Sequence, residues 1–229
     1  MKRKKFLVLD VETANSTDDP FVYDIGGAVC DKYGNIYEEF SFIVSDIFDN
    51  EPKLMETAYY SEKLPLYYDG LKKGLFQKTT FYNVQQYIKK VIGRHNIFEV
   101  CAYNAHFDTL ATNKTLRWLT KSKYRYFLPY GLQVNCIWHM ACQVICTQKA
   151  YYNFCQKHGY VKEGSGRIMT DAETVYRYIL FDQPDFKESH TGLDDVKIEV
   201  QILAHCFRQK KKMDKRINRL CWKIPQLKR

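Results

Sequence analysis

Lys5-Phe6-Leu7-Val8-Leu9-Asp10-Val11-Glu12-Thr13 decides how the rest of the chain is read. An apolar run of strand-forming residues ends in two carboxylates two positions apart, and in an extended chain such side chains point the same way. Asp10 and Glu12 therefore share one small volume. Like charges held that close repel unless protons or cations lie between them, and paired ionised oxygens are what a hard divalent cation prefers. An ordinary strand end with two solvated acids has the same form. The pair acquires chemical meaning only if partners arrive from elsewhere in the chain.

Outward from that strand, Ala14 to Pro20 is polar and turn-like. Phe21 to Cys30 predicts a second strand, Lys32-Tyr33-Gly34-Asn35 a tight turn and Ile36 to Val44 a third strand, so the chain opens with an antiparallel meander. Asp46 to Gly74, with Pro52 and Pro65, reads as irregular chain holding one or two short helices. Phe81, Val84, Tyr87, Ile88, Val91 and Ile92 fall at helical spacing, with Thr79 or Thr80 as the cap. Glu99 to Tyr103 predicts a short strand, and Asn104-Ala105-His106-Phe107-Asp108 leads into a helix to about Leu119. Leu132 to Ile145 fits strand and helix equally.

A helix over Gln148 to Lys157 stops at His158-Gly159, and Gly164-Ser165-Gly166 is a loop. Thr170-Asp171-Ala172-Glu173 has the form of a capping box, before a helix that Asp182-Gln183-Pro184 stops. Val196, Val200, Leu203, Ala204 and Phe207 share one helical face; Met213, Ile217, Leu220, Cys221 and Ile224 extend the stripe up to Pro225. A meander followed by helix-separated strands predicts an α/β chain with a mixed sheet.

The 229 residues suffice for one large core, and no repeat or low-complexity linker divides them. An aromatic content of 15% excludes a disordered chain. No apolar run approaches the roughly 20 residues that cross a bilayer. The basic start, Met1-Lys2-Arg3-Lys4-Lys5, runs into Asp10 and Glu12 rather than a signal-peptide core, so a cytoplasmic protein without membrane attachment is expected. Eight cysteines without a C-x-x-C spacing read as small buried hydrophobes of a reducing compartment. Cys142, Cys146, Cys155 and His158 form the one grouping with any likeness to a zinc site, and the paired short spacings of a zinc knuckle are absent from it.

Charge is unevenly placed. Of 35 basic and 26 acidic residues, ten and one lie in 208–229, which leaves 25 of each in 1–207 and puts the net charge of +9 in the tail. The division read from this is a neutral domain over 1–207 and a basic tail or helix over 208–229. Such an appendage suits an electrostatic hold on a phosphate backbone, or a solvated helix face that packs on the domain.

Three separated places now stand out: Asp10 with Glu12 at a strand end, Asp108 at a strand-to-helix junction, and His190 with Asp195 entering the last long helix. Singly, Asp108 and Asp195 are first-turn acids favoured by the helix dipole, and His190 is an ordinary histidine. Together, Asp10-Val11-Glu12-Thr13, Asn104-Ala105-His106-Phe107-Asp108 and His190 with Asp195, four residues between them, resemble the motifs of the DEDDh 3′–5′ exonucleases. That family includes the proofreading subunit of bacterial DNA polymerase III, ribonuclease T and oligoribonuclease. The motifs bracket about 185 residues. Asn15 stands near a position where many members carry Gly, Gly192 where Ala is frequent, and Asp194 beside Asp195 raises a question of register.

The resemblance implies a ribonuclease-H-like exonuclease fold, α/β with a central mixed β-sheet flanked by helices. It implies release of nucleoside 5′-monophosphates from the 3′ end of single-stranded or frayed DNA by a two-metal mechanism. Asp10, Glu12, Asp108 and Asp195 would hold two Mg²⁺ or Mn²⁺ ions, with Glu12 and His190 catalytic and His190 the general base. Thr13, Ala14, Asn104 and Phe107 are the candidate substrate contacts, Phe107 reading equally as a core residue. Implied partners are single-stranded nucleic acid 3′ ends, with DNA favoured over RNA, and a DNA polymerase as one further candidate. A 3′–5′ exoribonuclease and a non-catalytic nucleic-acid-binding protein on the same scaffold are the alternatives.

Overall fold

β1 (Lys5–Ala14) is a central strand because both of its faces are apolar: Leu7, Leu9 and Val11 enter one core, Phe6 and Val8 the other. The structure is a computed structural model that describes residues 3–58, 61–181, 186–187 and 190–227. β2 (Phe21–Asp31) pairs antiparallel with β1 and with β3 (Ile36–Val44), which is the expected meander. Among its described residues the irregular region, expected to hold one or two short helices, holds three, α1 (Ser45–Phe48), α2 (Pro52–Met55) and α3 (Leu64–Lys72), with a 3₁₀ turn at Ser61–Lys63. β4 (Gln77–Thr79) joins β3 in parallel. α4 (Phe81–His95) is capped by Thr80, whose hydroxyl accepts the Asn83 N–H at 3.3 Å.

The alternating half follows. β5 (Glu99–Ala102) runs parallel to β1 and leads into α5 (Ala105–Thr120); β6 (Gln133–Cys136) runs parallel to β5 and leads into α6 (Ile137–Val144). The ambiguous stretch is thus both, a strand that turns directly into a helix. α7 (Lys149–His158) stops at Gly159, where φ of 75° suits glycine. A hairpin of β7 (Val161–Lys162) and β8 (Arg167–Ile168) precedes α8 (Ala172–Leu180) and α9 (Gly192–Arg208). The six-stranded mixed sheet has the order β4-β3-β2-β1-β5-β6.

One core lies between the sheet and α4 and α5, through Val84, Ile88, Val91, Ala111 and Leu116. The other holds Ile137, Met140 and Ala141 of α6 with Val196, Val200 and Leu203 of α9. Full burial of a Val, Leu or Ile stabilises by roughly 1.5–3 kcal/mol, so the apolar face of α9 fixes that helix against any repulsion at its acidic end. Since β1, β5 and β6 are parallel, their carboxyl ends lie along one edge of the sheet, the edge where α/β proteins gather ligand-binding residues.

Two local expectations need correction. The cap of α8 is Asp171, whose Oδ1 accepts the Thr174 N–H at 2.9 Å, because the Thr170 hydroxyl is taken by the Trp138 indole at 3.0 Å. Glu173 instead pairs with Arg177 one turn on. Among its described residues the basic tail forms no continued helix: Ile217 and Leu220, counted as its apolar stripe, are 38% and 54% exposed. Its backbone bonds outward instead, with Lys215 O accepting the Cys136 N–H at 2.7 Å and Asp214 exchanging two bonds with the Gln143 amide, before a 3₁₀ turn at Cys221–Gln226. Pro225 lies inside that turn rather than ending a helix. The cysteines are buried, as expected, and among the described residues they make no metal-ligating group with His158, which packs on Phe154 and Tyr160. The proposed stop at Asp182-Gln183-Pro184 lies outside the described residues.

Candidate active site

Asp10 and Glu12 occupy the carboxyl half of β1 and face the same side as their partners on β2, Gly26 and Asp24. Just past Glu12 the register shifts by one residue, Tyr23 of β2 being the extra one, a bulge that twists the ribbon before Thr13 and Ala14 pair with Val22 and Phe21. Over this face lies the start of α9, and two glycines let it come down. A Cβ on Gly26 would lie 2.1 Å from the Gly192 carbonyl carbon, and one on Gly192 would lie 2.6 Å from the Gly26 nitrogen. Gly192, where alanine is frequent in the family resembled, is therefore required here by contact of backbone with backbone. A glycine inside a strand is a recognised mark of such an approach, and it is the signal in Gly26 that the motifs do not carry.

Asp24 completes the docking. Its Oδ2 accepts the Gly192 N–H at 2.9 Å and the Tyr67 hydroxyl at 2.8 Å, so a strand residue caps α9 from outside while Thr191 makes no side-chain cap. Burial raises the Asp24 carboxyl to about 6, against the lowering effect of the Gly192, Tyr67 and Ile25 bonds.

The helix then delivers its ligands. Ligand atoms of Glu12, His190 and Asp195 all lie within 4.8 Å of one another. His190 Nδ1 is 3.8 Å from Asp195 Oδ2, and His190 has φ of 51°, a left-handed conformation that non-glycine residues hold only where the surroundings enforce it. Asp194 is turned outward, accepting the Thr191 hydroxyl at 3.0 Å, so the register question resolves with Asp195 inward. Asp108, in the first turn of α5, is 8% exposed, with the Val11 backbone acting to lower its carboxyl against the effect of burial. Asn15 has φ of 69°, a conformation that asparagine tolerates, which accounts for its place near a family glycine.

The electrostatics are those of crowded acids. Burial raises the Asp10 carboxyl well above its usual range, and the charges of Glu199, Asp108, Glu12 and Asp195 raise it further. Asp108 is raised by burial, and Asp195 by burial and then by Asp194. Burial lowers the His190 imidazole, with Lys63 adding to the effect. Asp10 Oδ2 and Asp195 Oδ1 are buried oxygens with no hydrogen-bond partner among the described residues. Two orphaned carboxyl oxygens in an oxygen-rich cluster, whose raised protonation a cation would reverse, fit a hard divalent cation.

Of the other expected residues, Asn104 is exposed at the head of α5, Ala14 is fully buried, and Phe107 is half-buried against the core, which favours its structural reading. Glu199 and Lys63 were not marked by the motifs. Glu199 is 3% exposed, one helical turn beyond Asp195 on the same face of α9, and accepts the Tyr103 N–H at 2.9 Å. An acid inside the apolar stripe of Val196, Val200 and Leu203 is the sequence signal that could have found it.

No protein-family model matches the chain, and no curated protein matches it. Solved structures do. An exonuclease I from Methylocaldum szegediense, described as moderately thermophilic, aligns with a TM-score of 0.52 at 15% identity over 91% of this chain. The zinc-bound form of E. coli exonuclease I with single-stranded DNA aligns at 0.50, 13% and 88%, and the same enzyme with a 5cy-dT13 oligonucleotide at 0.50, 11% and 91%. The chain is thus similar in fold to α/β exonucleases with a mixed sheet between helices. It spans 41%, 40% and 41% of the lengths of these three proteins.

Proposed function

We propose that the chain is a metal-dependent 3′–5′ exonuclease that releases nucleoside 5′-monophosphates from single-stranded or frayed DNA. The observation that carries this reading is the pair of buried, unpartnered oxygens, Asp10 Oδ2 and Asp195 Oδ1, in a carboxylate cluster beside a histidine. Asp10, Glu12, Asp108 and Asp195 would hold two Mg²⁺ or Mn²⁺ ions. Bound there, the ions supply charge neutralisation for the attacked phosphate and the departing oxygen, and acidify the attacking water.

The remaining work falls to the protein's own groups. His190 accepts the proton of the attacking water; Nδ1 faces Asp195, so Nε2 is the accepting atom, and burial keeps the ring neutral and ready. Main-chain groups at Thr13 and Ala14, just past the bulge, and the exposed Asn104 would meet the terminal nucleotide. DNA is preferred to RNA as substrate because two structural neighbours are complexes with single-stranded DNA. A polymerase partner and a proofreading role draw no support from those neighbours.

The test is release of mononucleotides from a 3′-labelled oligodeoxynucleotide, with Mg²⁺ and with EDTA, beside a matched RNA. Asp10→Ala and His190→Ala should each reduce the rate by roughly 10²-fold or more. Unchanged rates in either variant would sink the mechanism, and faster RNA hydrolysis would move the substrate to RNA.

A further inference from the structure

A cleft of about 400 Å³ lies outside the acidic cluster, lined by Trp138, Lys162, Arg167, Thr170, Asp171 and Trp222 among others. Its place in the fold is what connects it to the site. Trp138 follows the carboxyl end of β6, as Asn104 and Asp108 follow β5, while Asp10 and Glu12 lie towards the carboxyl end of β1. The three strands are neighbours at about 4.8 Å, so the cleft begins roughly 10 Å along the same sheet edge, about three stacked nucleotides at ~3.4 Å each. The cleft wall is also tied to the site: Trp138 N–H bonds to Tyr103 O at 2.8 Å, and the Tyr103 hydroxyl to Thr170 O at 2.6 Å.

Its chemistry is aromatic and cationic. Lys162 and Arg167 are direct partners across the β7–β8 hairpin, an opposition of like charges that costs stability unless an anion joins them. The Arg167 guanidinium lies 4.3 Å from the Trp222 ring centre, and Lys223 flanks the same ring at 5.5 Å. The Trp138 ring is held in place by its bond to Thr170. Trp222 is held by the tail: the Gln226 amide pairs with the Ile168 backbone, accepting its N–H at 3.3 Å and donating to its carbonyl at 3.2 Å. Asp171 is the one acid among the lining residues named, and one of its oxygens caps α8. Fixed indoles beside guanidinium and ammonium groups are the elements with which proteins stack bases and track phosphates of single strands without reading sequence.

We propose that this cleft is a second subsite for single-stranded DNA. It takes nucleotides from about the third upstream of the 3′ end, stacks a base on Trp222 or Trp138 and pairs a phosphate with Lys162 and Arg167. The inference rests on the nuclease reading for the direction of the strand. Its test is separate: anisotropy of 5′-labelled oligothymidylates of two, four and eight nucleotides in EDTA. Affinity for the wild type should rise steeply with length, and Trp222→Ala or Gln226→Ala should lose roughly tenfold or more at eight nucleotides. Arg167→Ala should reduce the salt slope by about one.

Should a variant fail to fold, the wild-type chain still decides. A 5-iodouracil at the fourth or fifth nucleotide from the 3′ end should photo-cross-link to Trp222 or Trp138. Cross-links confined to other regions, length-independent affinity, or tighter binding of the matched uridine oligomer would each overturn the proposal. Absence of metal-stimulated release by the wild type would instead overturn the active-site reading alone.

Discussion

Gly26→Ala is the substitution that tests whether the site is assembled by the seating of α9 on β2. The new Cβ would meet Gly192 C at 2.1 Å, Gly192 O at 2.2 Å and Leu193 N at 2.3 Å, all backbone atoms that no rotamer change can move aside. Restoring an ordinary contact of 3.4 Å requires the helix to retreat by about 1.3 Å. That movement carries Asp195 and His190 away from Asp10 and Glu12, and a misplacement near 1 Å costs on the order of 10²-fold in rate. Overpacking of this kind also costs about 1–3 kcal/mol of stability.

The adjacent glycine separates the two effects. A Cβ on Gly27 would strike the Phe40 ring, which lies on the other face of the sheet against Phe42 and Tyr87. Gly27→Ala should therefore lower the melting temperature by a few degrees and spare most of the activity. The assay is mononucleotide release from 3′-labelled single-stranded DNA, paired with thermal unfolding of each variant. Wild-type rates in Gly26→Ala would refute the argument that backbone contact sets the carboxylate geometry.

Two further outcomes follow from the charges. In EDTA at pH 7, Asp10→Asn should melt higher than the wild type, because it removes a carboxyl that burial and its acidic neighbours disfavour, and it should lose the stabilisation that Mn²⁺ gives the wild type; equal Mn²⁺ shifts in both would count against metal binding there. Asp31, 1% exposed, is held at about 2 despite its burial by bonds from Asn35, the Tyr33 N–H and Tyr37. Its folded value is depressed, so its contribution of about 2 kcal/mol is complete above pH 4 and is lost as pH falls towards 2. Asp31→Asn should therefore lower stability at pH 7 and flatten the acid limb of the unfolding profile, and an unaltered limb would remove this account.

The sheet and most of its helices were legible in the residues because period-two and helical patterns there serve single purposes. Leu7, Leu9 and Val11 alternate with Phe6 and Val8, and Thr80 precedes a clean helical stripe. The acids and His190 were legible because their separations along the chain match a known set of motifs. What escaped is three-dimensional in origin. Asp24 sits in a strand that is buried along its length, and nothing local marks it as the cap of a helix that begins at Gly192. Glu199 passes for one acid on a helix until Tyr103 is found beneath it. The tail misled because Met213, Ile217 and Leu220 fall at helical spacing, while the Lys215, Asp214 and Arg216 backbone prefers partners on β6 and α6.

That seating of the tail has a consequence for how molecules of this chain meet one another. β6 is the last strand of the sheet, and an outermost strand with free backbone groups is a template for pairing with a second chain. Lys215 O occupies the Cys136 N–H on that border, and Lys215 Nζ reaches across to Glu99 at 2.7 Å. The opposite border, β4, is three residues long and carries Lys78. A segment first noticed for its charge thereby also shields the sheet from edge-to-edge aggregation.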